Sequence, residues 1–301
     1  MDRIGQLLLQ FFARCWLLFL KIGPIKHQGA TVRLDNLIRL SKNTAIKVAE
    51  HPPEWRDTAI RTAELTNEAE TYCALSIIKD STEERLKELD YVVSRWRLDF
   101  VRPYRFHVTQ EMWNSKLGVL FDHWVTIGKE TYQTVDLQVP NEKGKRAKKY
   151  YIWKQAKNGT RDGLNKGLLV DGYLGIVRNQ IPKFYGVYKY LGERFLLLEY
   201  DPRGFPEQYA NLVELCKEIP KGEWEFDIWI YLDTGYFAKA QVNAQGESKE
   251  GKRDELEFHH VFTCYNELIE VKPPQWLNLV PNAEGKSTIV ETKIPNVPHH
   301  E

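Results

Sequence analysis

A dense cluster of basic side chains lies between residues 142 and 166. Nine lysines and arginines stand there against two acidic residues, and three aromatic residues are interleaved with them. Because basic side chains attract phosphates and aromatic rings offer faces for base stacking, this composition is typical of a nucleic-acid contact. The basic residues are Lys143, Lys145, Arg146, Lys148, Lys149, Lys154, Lys157, Arg161 and Lys166, and the aromatic residues are Tyr150, Tyr151 and Trp153.

Two other interpretations fit the same cluster. The lysines could protect an exposed strand edge while the aromatic rings point into the core. A polybasic loop combined with one apolar helix would also supply the two signals that stable membrane-surface anchoring requires.

A second group of residues could support metal-assisted hydrolysis. Residues 268–272 read Leu-Ile-Glu-Val-Lys, so that Glu270 and Lys272 close an apolar stretch, and Asp254 lies upstream. This pattern resembles the PD-(D/E)xK nuclease superfamily. The resemblance implies Asp254 and Glu270 as ligands of Mg²⁺, with Lys272 steadying the attacking water or the phosphate. The alternative is an ordinary edge strand that ends in a solvated lysine.

Carboxylates also repeat two residues apart, at Glu199 and Asp201 and at Glu225 and Asp227. On a strand such residues share a face, so each pair could present two oxygens to one cation. A wet strand face is the commoner reason for such pairs, and we expect these four carboxylates to face solvent.

Other metal, redox and hydrolase sites are not expected. The four cysteines, Cys15, Cys73, Cys216 and Cys264, form no C-x-x-C pair, which argues against a zinc site or a disulfide framework and predicts reduced, buried thiols. The histidine spacing does not converge on a metal, and neither G-x-S-x-G nor H-E-x-x-H occurs. We therefore expect no cofactor, except Mg²⁺ if the nuclease interpretation holds.

The most apolar stretch of the chain is residues 7–20, within a predicted helix over residues 2–22. Its polar residues fall on one narrow helical stripe, and Gln10 and Arg14 interrupt it too early for a clean transmembrane span. We expect this helix either to lie on a membrane surface or to pack on protein.

The sequence predicts a helical region over residues 1–128. Apolar residues recur at helical spacing from Thr31 to Glu50 and again up to Lys79, and Ser81 with Glu84 is typical of a capping box before a further helix. Thr109 is a candidate N-cap for another helix, with Trp113, Leu117 and Trp124 on one face. Helices joined so closely predict a bundle.

From residue 129 to 280 the pattern predicts antiparallel strands. Hairpins are expected on either side of residues 140–144 and of Asp233-Thr234-Gly235, with further strands at 168–177, 184–191, 194–200, 256–262 and 268–271. One helix is expected at 206–219, and residues 281–301 are predicted to form a loose tail. The predicted fold is thus α+β: an N-terminal helical bundle, then a mainly antiparallel sheet with one inserted helix.

The formal net charge of +1 excludes a strong global attraction to nucleic acid or anionic membranes, so such binding would have to be local. The function predicted from the sequence is a non-catalytic binding or assembly subunit in the cytoplasm, contacting an anionic partner, above all nucleic acid, through the basic hairpin. The alternatives are the Mg²⁺-dependent nuclease and a peripheral membrane protein held by residues 2–22.

Overall fold

The structure is a computed structural model in which part of the chain is described. The predicted helices at residues 2–22 and 206–219 lie outside the described residues. The described ranges are 28–48, 54–80, 92–102, 105–114, 118–127, 130–139, 146–155, 171–205, 222–247, 253–273 and 288–292.

Within these ranges the chain forms one sheet of 13 strands, in the order β1-β8-β9-β10-β11-β12-β2-β3-β4-β5-β6-β7-β13. Every neighbouring pair is antiparallel. The strands are β1 (Ile46–Lys47), β2 (Thr71–Asp80), β3 (Val92–Val101), β4 (Arg105–Asn114), β5 (Gly118–Ile127), β6 (Glu130–Val139), β7 (Arg146–Gln155), β8 (Phe184–Tyr190), β9 (Glu193–Tyr200), β10 (Glu223–Tyr231), β11 (Phe237–Glu247), β12 (Arg253–Thr263) and β13 (Thr288–Thr292).

Three α-helices flank the sheet in the described residues: α1 (Gln28–Arg39), α2 (Trp55–Glu68) and α3 (Asp171–Asn179). A short 3₁₀ helix follows at Pro202–Gly204. Helices α2 and α3 contact each other, and α1 contacts β12, β11 and β2. None of the helices in the described ranges is both long and apolar enough to cross a bilayer.

The two faces of the sheet bury separate cores. On the face covered by α2 and α3, here the α2–α3 face, Ala63 packs with Leu198, Phe226 and Phe262. On the opposite face, here the α1 face, Leu34 and Leu37 pack with Phe195 and Trp229. Because successive strand residues point to opposite faces, β9, β10 and β2 each supply both cores.

The predicted helical bundle is wrong, because residues 71–80 and 92–127 form strands β2 to β5 over the described ranges. Strand β2 buries Tyr72 and Ala74 on one face and Cys73 and Leu75 on the other. A strand buried on both faces has a continuous apolar run without alternation, which periodicity alone cannot distinguish from a buried helix.

The sequences of β3 and β4 do alternate apolar and polar residues with a period of two. Leu98 and Phe100 alternate with Arg97 and Asp99, and only the first pair joins the core of the α2–α3 face. The helix predicted from Thr109 is therefore wrong: the backbone there belongs to β4, and residues 118–127 form β5.

Among the strand predictions, both hairpins are confirmed, since β6 pairs with β7 and β10 with β11. The strands predicted at 184–191, 194–200 and 256–262 are also present. The strand at 168–177 is wrong, because Asp171–Asn179 is helix α3. Residues 268–271 are not a strand either.

Two turn glycines offer a test of how much crowding adds to backbone strain. Gly192 has φ +89° with open space where a Cβ would stand, whereas Gly235 has φ +79° and its Cβ would lie 3.0 Å from Leu65 Cδ1. We expect Gly192→Ala to lower the free energy of unfolding by about 1–2 kcal/mol, and Gly235→Ala to lower it by more. Urea denaturation measures both, and equal losses would show that Leu65 yields freely.

Candidate functional site

A cavity of about 270 Å³ lies on the α1 face, between α1, the β8–β9 and β10–β11 turns and the segment after β12. Leu37 and Phe195 form apolar wall, and Tyr190 and Tyr231 add phenol rings. Cys264 also lines it. A concave site with apolar walls and a few convergent polar groups is the usual form of a small-molecule site.

A bidentate ion pair lies at the rim of the cavity. Arg33 on α1 donates from Nη1 to Glu267 Oε1 at 2.6 Å and from Nη2 to Glu267 Oε2 at 2.7 Å. The same Nη2 lies 3.3 Å from Cys264 Sγ. The hydrogen bond with Arg33 lowers the pKa of Glu267. Arg33 therefore ties the helix to the segment after β12 and places positive charge beside a thiol.

Cys264 has a thiol partner as well as a cationic one. Cys73 on β2 stands opposite Thr263, the residue before Cys264, and both cysteines are buried in the core of the α1 face with free thiols. The neighbouring Cys73 thiol lowers the pKa of Cys264, with Arg33 adding to the effect, whereas Cys264 and burial raise the pKa of Cys73. The two thiols are thus chemically unequal, with Cys264 the more easily ionised.

Behind the thiols a polar chain continues across the α1 face. Cys73 stands opposite Asp99 on β3, and Asp99 Oδ2 lies 3.5 Å from His107 Nδ1. Burial alone would raise the pKa of Asp99, but His107 and Arg97 lower it to about 2. The cavity therefore connects through two sulfurs to a buried, ionised carboxylate.

Farther along the α1 face, three carboxylates meet one lysine. Glu199 on β9 and Glu225 and Asp227 on β10 have carboxylate oxygens within 4.8 Å of one another. Lys42 Nζ lies 2.9 Å from Glu199 Oε2 and 3.7 Å from Asp227 Oδ1, and it is also paired with Glu225. Lys183 pairs with the other oxygen of Glu199 at 2.7 Å.

Within this cluster Asp227 is buried, whereas Lys42, Glu199 and Glu225 are partly exposed. Asp227 is 1% exposed, and burial together with Glu225 raises its pKa to about 7. Burial lowers the pKa of Lys239 to about 7, although its ammonium donates to the carbonyls of Ile38 and Leu40 at the end of α1. The Lys42 ammonium already stands among the three carboxylates, so the cluster fastens the α1–β1 turn to β9 and β10.

The repeated carboxylate pairs were therefore only partly understood from the sequence. Glu225 and Asp227 do share a face of β10, but Asp227 is buried, so the prediction of a solvent-facing pair is wrong there. Glu199 joins them because it stands directly opposite Asp227 in the sheet. Asp201 separates from Glu199 and caps the 3₁₀ helix, accepting hydrogen bonds from Arg203.

The residues of the predicted nuclease site fall on unlike elements. Asp254 is on β12, opposite Gly246. Glu270 and Lys272 lie beyond the sheet, in solvent, and pair with each other at 2.8 Å with 68% and 69% of their side chains exposed. The apolar strand that should present Glu270 is absent, so the resemblance loses the framework on which it depended.

The basic hairpin is built into the sheet. Strand β7 pairs with β6 on one side and with β13 on the other, and Lys148 stands opposite Glu291 and Lys149 opposite Asp136. It is therefore not the exposed edge that the ribbon interpretation or the edge-protection interpretation required. Arg146, Lys148, Lys149, Tyr151, Trp153 and Lys154 belong to β7; Lys143, Lys145, Lys157 and Arg161 lie outside the described residues.

Sequence reasoning did not bring Arg33, Cys73 and Cys264 together as members of this candidate site. They come from three distant parts of the chain, and only the pairing of β12 with β2, which sets Thr263 opposite Cys73, brings the thiols together. No motif or spacing signals such a group, because cross-sheet neighbours have no fixed separation in sequence.

Replacing Asp227 by asparagine should make the protein more stable relative to wild type as the pH rises. With a pKa of about 7 in the fold, the folded state keeps a proton that the unfolded chain releases near pH 4. That stabilisation is complete below about pH 4 and lost as the pH rises through about 7. Over this interval the difference in free energy of unfolding should change by at most about 4 kcal/mol, measured by urea denaturation.

Asp201→Asn is the matched control. Asp201 is exposed, and hydrogen bonding to Arg203 lowers its pKa. Its contribution is therefore present at neutral pH and lost as the pH falls, which is the opposite sign. The same pH dependence in both variants would show that the burial of Asp227 does not govern its protonation.

No family model and no curated protein sequence matches the chain. Several solved structures resemble it weakly, and three of them are as follows. A DUF1329 family protein from Desulfovibrio piger has 8% identity and a TM-score of 0.23, covering 72% of this chain and 93% of that one. A LolA superfamily protein from Nitrosomonas europaea has 9% identity and a TM-score of 0.21, covering 75% and 97%. A β-barrel-like protein with the domain of unknown function DUF1849, from Brucella abortus, has 8% identity and a TM-score of 0.23, covering 64% and 98%.

Likeness at this level carries no argument about ligands. Strand β7 pairs with a neighbour along both of its edges, which removes the exposed ribbon on which the predicted nucleic-acid contact depended. The prediction of a nucleic-acid-binding subunit is therefore wrong.

Proposed function

We propose that the protein binds a small organic molecule, neutral or positively charged and with an apolar body, in the cavity beside α1. The observation that carries the proposal is the cavity itself: about 270 Å³ of space walled by α1 and the sheet. That volume is just below the range of about 300–1,000 Å³ common for ligand sites, so the ligand is small.

The composition of the wall supports an apolar body with a polar end. Leu37 and Phe195 are buried in the core of the α1 face, and Tyr190 and Tyr231 pack against that core. A ring or short chain placed there gains dispersion contacts and loses water-exposed apolar surface.

The charges around the cavity support a ligand that is not an anion. One guanidinium, Arg33, faces two carboxylates, Glu193 and Glu267, and Glu267 already engages it at both oxygens. An anionic ligand would have to displace Glu267 and approach Glu193. A cationic or neutral polar group instead meets an excess of acceptors.

Occupancy of the cavity can be tested with three probes of one shape: benzylamine, benzyl alcohol and benzoate. We expect the first two to bind with dissociation constants on the order of 1 mM, and benzoate to bind at least about tenfold more weakly. Isothermal titration and saturation-transfer NMR on the full-length protein give the affinities.

Asn36→Trp locates the site. Asn36 lines the cavity on α1, so a tryptophan there fills it and should abolish benzylamine binding. Val32→Trp on the same helix is the control, since Val32 is 59% exposed and does not line the cavity. Failure of all three probes to bind, or unchanged affinity in Asn36→Trp, overturns the proposal.

A further inference from the structure

We propose that Cys264 and Cys73 form a peroxide-sensitive dithiol, in which Cys264 is oxidised first and Cys73 then closes a reversible disulfide between β2 and the segment after β12. This inference does not require that the cavity hold an organic ligand. It needs only a path for a molecule as small as hydrogen peroxide.

The position of Cys264 meets the requirements of a reactive thiol. Its sulfur has Arg33 Nη2 at 3.3 Å, and Cys73 lies beside it in the same core. The positive charge of Arg33 stabilises the thiolate, which is the nucleophilic form of cysteine. Although only 5% exposed, Cys264 lines the cavity, and this gives a small oxidant its route.

The backbone adds a second, independent sign. Cys264 has φ 60°, in the left-handed region that residues other than glycine rarely adopt. Around it the chain is well fastened: Asn266 N donates to Thr71 O at 3.0 Å, and Thr71 Oγ1 donates to Glu267 O at 2.6 Å. The surrounding bonds therefore hold the thiol in a strained position facing the cavity and Cys73.

The chemistry balances with hydrogen peroxide as the oxidant. The Cys264 thiolate attacks one peroxide oxygen, so that an S–O bond forms, the O–O bond breaks and hydroxide leaves, taking up a proton to become water. The product is a sulfenic acid. The sulfur of Cys73 then attacks the sulfur of Cys264, an S–S bond forms, and the S–O bond breaks. The departing oxygen takes the Cys73 proton and leaves as a second water.

Asp99 lies next to Cys73, the thiol that attacks in the second step. Burial and the neighbouring Cys264 keep the Cys73 thiol protonated, so its proton must leave as it attacks, and the departing oxygen takes it up. The carboxylate of Asp99 stands opposite Cys73 in the sheet and is paired with His107, which is 35% exposed. Asp99 is thus a positioning residue beside the attacking thiol and is not its base.

The decisive experiment uses the full-length chain with Cys15→Ala and Cys216→Ala, so that only the proposed pair remains. Treatment with stoichiometric hydrogen peroxide should remove the mass of two hydrogens and join the Cys73 and Cys264 peptides. Dithiothreitol should reverse both changes. Cys73→Ser should stop the reaction at a sulfenic acid on Cys264, trapped by dimedone, and Cys264→Ser should leave Cys73 unoxidised.

Arg33→Gln tests the role assigned to the guanidinium, and Arg39→Gln in the last turn of the same helix is its control. We expect Arg33→Gln to slow the peroxide reaction of Cys264 by about threefold to tenfold and Arg39→Gln to leave it unchanged. The proposal is overturned if peroxide forms no Cys73–Cys264 disulfide in the protein that carries only Cys15→Ala and Cys216→Ala. It is also overturned if dimedone labels Cys73 instead of Cys264. Because the probes of the cavity are not used here, this result stands apart from that of the binding experiment.

Discussion

Burial of both faces of the central sheet is the constraint on which the rest of the structure depends. Strands β9 and β10 place Leu198 and Ile228 on the α2–α3 face and Leu197 and Trp229 on the α1 face, all fully buried. A buried polar group on these strands that lacks a hydrogen bond costs about 2–7 kcal/mol. The polar groups of the α1 face are consequently gathered into networks.

The Lys42 and Arg33 networks differ in how fully their charged groups are paired. Lys42 lies among three carboxylates and binds the α1–β1 turn firmly to the sheet. At the cavity, Arg33 shares its donors between Glu267 and a sulfur. In the Lys42 cluster the charged groups pair with one another. The Arg33 group instead opens toward a cavity that a small molecule can enter, and for this reason the proposed chemistry lies there.

Local signals in the sequence were enough where a glycine turn separates two strands, as at Gly192 and Gly235, even though β9 and β10 are buried on both faces. The β10–β11 hairpin could be predicted because Asp233-Thr234-Gly235 provides the turn that Gly235 completes at φ +79°. Local signals were not enough for β2, because its two buried faces remove the alternation of apolar and polar residues. They were also not enough for residues 92–101, where a chance helical spacing competed with a real period of two. The candidate site could not be predicted because its members meet only through the order of strands in the sheet.

That order has a consequence for synthesis of the chain. Strand β2 pairs with β3, which follows it soon, but its other neighbour, β12, is among the last strands to be made. Until residues 253–263 have left the ribosome, one edge of β2 lacks its partner strand β12. That edge of an apolar strand stays open to strands of other chains. Newly made chains are therefore open to association along this edge of β2, and a chaperone acting during translation would be useful in that interval.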